Sequence, residues 1–242
     1  MQRRTLDIII STGGLGLVVL LLIGAAILRN EGNFARNYVK DQLAEQKITF
    51  TAAEKLTAED KAFTEARSGC VIKYAGQPLD SGKKAECFAN EYLGSHLSRM
   101  PAGAYPLTLA VAGPALGKTP NPDNTIYPLT YAELGTAQTE LRAKITEARN
   151  AGDTERAAAL QKELDSLTTA RETVFKGEML RGALLTTYGF STLGERALLA
   201  SNVALVAAGI LAVLSVAGYV HAFVTPKTKA FAPVPGLTGQ AA

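Results

Sequence analysis

The sequence has no tryptophan, only two histidines and only two cysteines among its 242 residues. Neither H-E-x-x-H, G-x-S-x-G nor C-x-x-C occurs, so the metalloprotease, serine-hydrolase and thioredoxin-type chemistries built on those motifs are excluded. His96 and His221 are too few and too far apart in the chain to supply an imidazole-rich metal site, and no metal or cofactor is expected. A formal net charge of +3 provides no single-sign field, so neither nucleic acid nor nucleotide is expected as a partner. Charge is also missing locally, and those gaps organise the chain.

Residues 198–224, LLASNVALVAAGILAVLSVAGYVHAFV, contain no Asp, Glu, Lys or Arg. At a rise of about 1.5 Å per residue, a helix of that length crosses a hydrocarbon core of about 30 Å. Residues 8–28, IIISTGGLGLVVLLLIGAAIL, are uncharged too and satisfy the same length test. A cleaved signal peptide is the competing reading of this first run, with Gly24 and Ala26 as small residues near a cleavage point. The division expected is an amino-terminal segment 1–7, a first span 8–28, a domain 29–196, a second span 197–224 and a tail 225–242. Arg3 and Arg4 precede the first span and Lys227 and Lys229 follow the second, which favours both termini in the cytoplasm. Arg29, Arg36, Lys40, Arg181 and Arg196 pull the other way. Cys70 and Cys87 decide the matter, because a disulfide between them would persist outside the reducing cytosol.

Within the central domain, 33–47 places Phe34, Tyr38, Leu43 and Gln46 at helical spacing, continuing outward from the first span. Residues 52–67 form a weaker helix capped at Thr51 or Thr57, and 86–97 another that turns Phe88, Tyr92 and Leu93 inward. Six prolines between 100 and 128 allow no long helix there, only a short extended piece at 107–111. Residues 129–175 then form a helical hairpin. Leu134, Leu141 and Ala148 recur with Gln138 and Ile145 between them, and Leu160, Leu164, Leu167 and Val174 return after a turn at Ala151, Gly152 and Asp153. In 175–190, Met179, Leu180, Ala183, Leu184 and Tyr188 make an apolar stripe, with Lys176 and Arg181 placed to reach headgroups, the pattern of a helix lying at the membrane surface. Thr192 and Glu195 fit a capping box that restarts the helix before the second span.

Small residues on the spans are candidate packing positions: Thr12, Gly16 and Gly24 on the first, Ala204, Ala208, Ala212 and Ser215 on the second. Such faces let helix backbones approach closely, either each other or a partner. Residues 112–119, AGPALGKT, satisfy a relaxed phosphate-loop pattern, but Pro120 and Pro122 prevent the helix whose amino-terminal amides would hold a phosphate.

Four segments, RRTLDIIISTGGL, VKDQLAEQKITF, YAGQPLDSGKKAECFANEYLGSHL and FKGEMLRGALLTTYGFSTLG, together resemble a family of small actinobacterial membrane proteins of unestablished function. Members of that family sometimes carry a ring-opening dioxygenase label, an activity that requires iron held by histidines and a carboxylate. The two histidines here fall on opposite sides of the membrane in the expected topology, and the resemblance implies no catalytic residues.

The expectation is therefore an all-α plasma-membrane protein, with two transmembrane helices flanking an extracytoplasmic helical domain that contains an antiparallel hairpin. Its partners are the lipid bilayer and other membrane proteins. It would act without enzymatic activity as a structural or accessory component of a membrane or envelope assembly, an actinobacterial respiratory complex being one candidate host. A lipid- or small-ligand-binding module and an exported hydrolase are the alternatives.

Overall fold

The computed structural model describes residues 3–98 and 130–226, and every regular element among them is helical. The proline-rich run at 100–128, with its phosphate-loop-like stretch, and the tail from 227 onward lie outside the described residues. In chain order the helices are α1 (Arg3–Glu45), a 3-10 turn (Ala53–Lys55), α2 (Ala58–Glu65), α3 (Cys70–Lys73), α4 (Gly82–Cys87), a π-helical segment (Phe88–Leu93), α5 (Gly94–Ser98), α6 (Tyr131–Asn150) and α7 (Thr154–Val224). The contacts divide the chain into two units, Met1–Tyr38 with Ser191–Ala242, and Val39–Phe190.

The first unit is an antiparallel pair made by the apolar parts of α1 and α7. Both helices are long and apolar enough to cross a membrane. On α1 the buried positions Ser11, Val18, Ala25 and Gly32 fall seven residues apart, and on α7 so do Gly194, Ser201, Ala208, Ser215 and Ala222. A strict seven-residue repeat keeps one seam facing its partner along slightly supercoiled helices. Every seam residue but Val18 is Gly, Ala or Ser, so the backbones come close. The Ser201 hydroxyl donates to the Ala25 carbonyl at 2.8 Å. A methyl at Gly32 would lie 2.8 Å from the Gly194 carbonyl, and one at Gly14 would run into the Ser215 hydroxyl. The opposite faces carry exposed Ile23, Ile27, Val206, Ile210 and Val213. At one end Asp7 meets His221 at 3.0 Å, and the Thr12 hydroxyl lies 2.7 Å from that of Tyr219.

The seam does not follow the face expected from Thr12, Gly16 and Gly24. At about 100° per residue those three spread over roughly 120° of a helix, whereas a seven-residue step drifts by only about 20°. Methyl groups at Gly16 or Gly24 would touch nothing, and Thr12 sits at the rim. On α7, Ala208 and Ser215 are in the seam, with Ala204 and Ala212 half-buried beside it.

The second unit has two packed regions. In one, Val39 and Leu43 of α1 pack with Phe50, Leu56, Val71, Leu79, Phe88 and Leu184. Phe50 and Phe88 meet edge to face at 5.3 Å, and the chain between them closes through Phe50 N–H to Gln77 carbonyl and Leu79 N–H to Ile48 carbonyl, both at 2.9 Å. α2 starts in a capping box between Thr57 and Asp60. The other region is the α6–α7 hairpin. Its seam contains Leu134, Leu141, Ile145, Ala148, Leu160, Leu164, Leu167 and Val174, all buried. Thr130 and Glu133 cap α6, and Gly152 at φ 75° makes the left-handed turn. Buried Gln138 donates to Thr168 and accepts from Arg171, both at 2.9 Å.

Residues 175–190 are not a separate surface helix. They are an uninterrupted part of α7, which also runs through Thr192 and Glu195, so that pair caps nothing. No proline interrupts this stretch, and once a helix is nucleated each further residue adds a bond at little cost. Leu184 is 2% exposed and, with Leu180, packs on the Phe50 and Phe88 cluster. Protein packing thus accounts for Leu180 and Leu184 of the stripe, while Met179 and Ala183 are exposed.

Replacing Gly32 with Ala should destabilise the helix pair by about 1–3 kcal/mol, because a backbone carbonyl has to yield. Gly16→Ala should be neutral or slightly stabilising through helix propensity. Reversible unfolding of the full chain in mixed detergent micelles measures both, and equal effects would contradict the seam described here.

Candidate functional site

Cys70 opens α3 directly after Gly69, whose φ of 68° turns the chain out of α2. Cys87 is the last residue of α4. The two are joined as a disulfide with Cα atoms 6.0 Å apart. Four residues beyond Cys87, on the π-helical segment, Glu91 turns its carboxylate into the fold and is buried. π-helical turns inside helices often mark functional positions.

Glu91 accepts from three donors. The Thr64 hydroxyl donates to one carboxylate oxygen, while the Ser68 backbone N–H, at 3.2 Å, and the Ser68 hydroxyl donate to the other. Thr64, fully buried, in turn accepts from the Val71 N–H at 3.2 Å. Asp60 accepts from Ser95 at 3.4 Å while capping α2. The polar network thus ties α2, α3, the π-helical segment and α5 together at the place where the disulfide adds a covalent link.

A cavity of about 370 Å³ opens beside this network, with Cys70, Cys87, Lys73, Lys83, Glu86 and Glu91 in its wall. A second, of about 520 Å³, includes Phe63, Arg67, Asn90, Leu97, Glu178 and Arg181. There Arg67 lies 3.5 Å over the Phe63 ring, and Arg181 donates to Asn90 and Glu178, each at 3.4 Å. A third, of about 260 Å³, lies on the hairpin beside Tyr131 and Arg171, whose guanidinium is 4.3 Å from the Tyr131 ring centre.

The residues expected at a membrane surface do not share one environment. Leu180 and Leu184 belong to the apolar core, Arg181 reaches Asn90, Tyr188 is half-buried, and Lys176 and Met179 are exposed. His96 bonds locally to the Tyr92 carbonyl at 2.8 Å and lies tilted against the Tyr92 ring with centroids 4.6 Å apart, while His221 belongs to the other unit. Sequence reading did not find Thr64 or Ser68. Their link to Glu91 spans 27 and 23 residues and leaves no periodic trace. No protein family, no curated protein and no solved structure matches the chain.

Thr64→Val keeps the side-chain shape but leaves Glu91 short of a donor and the Val71 N–H without its acceptor. A loss of about 2–3 kcal/mol is expected with the disulfide intact. Denaturant unfolding followed by circular dichroism measures it; a change within 0.5 kcal/mol, the range of about ±0.5 typical of surface substitutions, would show that the network does not hold these helices.

Proposed function

We propose that this chain is a non-enzymatic integral membrane protein, a structural or accessory component of a membrane or envelope assembly. One observation carries the reading: around the disulfide and in the hairpin, the buried side chains of Asp60, Thr64, Glu91, Ser95 and Gln138 are engaged with other groups of the same chain. They serve the architecture of a helical module attached to two apolar helices. The outer faces of the helix pair, rich in exposed Ile, Leu and Val, suit lipid and the helices of other membrane proteins.

In the topology we propose, both ends lie in the cytoplasm and the module between them lies outside. The disulfide between Cys70 and Cys87 supports that arrangement, because the cytosol would keep the thiols reduced, and so do the basic residues Arg3, Arg4, Lys227 and Lys229 in the tails. The resemblance to small actinobacterial membrane proteins is consistent with it, and a respiratory complex is one candidate host. A second reading, a module that binds a lipid or small ligand, draws on the cavity of about 520 Å³ with Arg67 and Arg181 in its wall.

The test is extraction of a tagged chain from its native membrane in mild detergent, with crosslinking before lysis. Stoichiometric recovery of another membrane protein is expected. A chain that runs and crosslinks only as a monomer would remove the accessory role, and retained lipid in native mass spectrometry of that monomer would favour the second reading. Protease added to intact cells should cut within 39–190; cleavage there only after the membrane is opened would reverse the topology.

A further inference from the structure

The disulfide and the carboxylate beside it have a second chemistry. The two sulfurs and a Glu91 carboxylate oxygen all lie within 4.8 Å of one another. Two thiolates bound to zinc at about 2.3 Å in tetrahedral geometry stand ~3.8 Å apart, and a carboxylate oxygen at about 2.0 Å completes a third vertex at similar spacing. The sulfurs are bonded to each other in the disulfide and have to part to reach that spacing, and Cα atoms 6.0 Å apart leave room for them to do so by side-chain rotation once the bond is reduced. We propose that, once the disulfide is reduced, Cys70, Cys87 and Glu91 form a three-ligand site for a thiophilic divalent cation of the zinc class. Water from the adjoining cavity takes the fourth position.

Three features support a built site. Glu91 is oriented by Thr64 and Ser68, which hold both carboxylate oxygens and leave the oxygen bonded to Thr64 with a further lone pair for a metal. Such outer partners fix the direction of a metal ligand and tune its affinity. The cavity of about 370 Å³ gives an ion and a water a way in past Cys70, which is half-buried, whereas Cys87 is inside. Finally, a zinc ion with two thiolates and one carboxylate carries a net charge of −1, and Lys73 and Lys83 in the same wall complement it.

The chemistry balances in two steps. A dithiol delivers two electrons and two protons to the sulfur–sulfur bond and leaves as its own disulfide; a phosphine delivers the two electrons while one water supplies both protons and the oxygen of the phosphine oxide, and either way two thiols result. The cation then displaces both thiol protons, which pass to solvent as two metal–sulfur bonds form. The oxidised chain has no thiolate to offer, so disulfide and metal exclude each other. The site is independent of the accessory role proposed above, since it needs neither a partner protein nor a particular side of the membrane.

The experiment uses the full chain in detergent, reduced with a phosphine that is then removed without oxygen, and Co²⁺ as an optical stand-in for zinc. One Co²⁺ per reduced chain is expected, with thiolate-to-cobalt absorption in the near ultraviolet, displacement by one equivalent of Zn²⁺ and release of two protons. The oxidised chain should show none of this. Glu91→Gln should weaken Zn²⁺ binding at least tenfold, and Ser68→Ala about tenfold through loss of positioning. Glu86→Gln, in the same wall but outside the ligand set, should leave it unchanged. Absence of the sulfur absorption from reduced wild-type chain would overturn the site, as would equal binding by the oxidised chain or wild-type affinity in Glu91→Gln. Helix content measured on the reduced, metal-free chain guards against an unfolded artefact: metal binding that persists after the helices are lost would also refute a preformed site.

Discussion

The constraint on which the membrane-type unit depends is the close approach of two helix backbones along a seam of small residues. Within lipid, apolar side chains gain nothing by leaving their surroundings for each other, so association rests on van der Waals contact and hydrogen bonds between helices. Both demand that the backbones come near. Gly32 opposite Gly194, and Gly14 opposite Ser215, remove the atoms that would hold them apart. Ser201 uses the resulting proximity to donate to the Ala25 carbonyl across the seam. The large aliphatic residues are displaced to the outer faces, where size is no obstacle. The same residues would be a liability in water, which is why the exterior of this unit and the length of its helices point to a bilayer.

The central unit solves a different problem with a related shortage of bulk. The chain has no tryptophan, and the cluster around Phe50, Phe88 and Leu43 is small. A small core gives limited stability, and short helices such as α3, α4 and α5 are not stable alone. Cross-links take up the difference. The disulfide joins α3 to α4, and the hydrogen bonds among Thr64, Ser68 and Glu91 join α2 and the loop after it to the π-helical segment. The hairpin needs less help. Its two helices are long, their apolar residues recur at helical spacing, and one buried amide, Gln138, is satisfied from the facing helix by Thr168 and Arg171.

These differences explain what could be read from the residues beforehand. Long uncharged runs and the repeat of Leu134, Leu141, Leu160 and Leu167 are local, periodic signals, and the apolar helices and the hairpin were legible from them. Which face of a span is buried was less so. Glycine and alanine occur all round these helices, and only the seven-residue period, seen on both helices together, selects Ser11, Val18, Ala25 and Gly32 over Thr12, Gly16 and Gly24. The stripe containing Leu180 and Leu184 was ambiguous in another way, since one apolar face serves equally against lipid or against Phe88 and Val39. Likewise Thr192 and Glu195 have capping-box spacing, yet a cap forms only where a helix begins, and here α7 is already under way.

The Glu91 network was out of reach for a further reason: its parts are common polar residues at irregular, long separations, and only folding brings them together. Its position beside the two cysteines also changes what the pair means. Considered alone, two cysteines joined as a disulfide are a staple. Next to a buried carboxylate held by Thr64 and Ser68, the same sulfurs have two mutually exclusive ways of joining α3 to α4, a covalent bond when oxidised and a shared cation when reduced. A small core that relies on that junction would keep it closed in either redox environment, including during synthesis, before the chain meets an oxidant. The physical requirement, that α3 and α4 be joined at this point, is then met in either redox state by one set of residues.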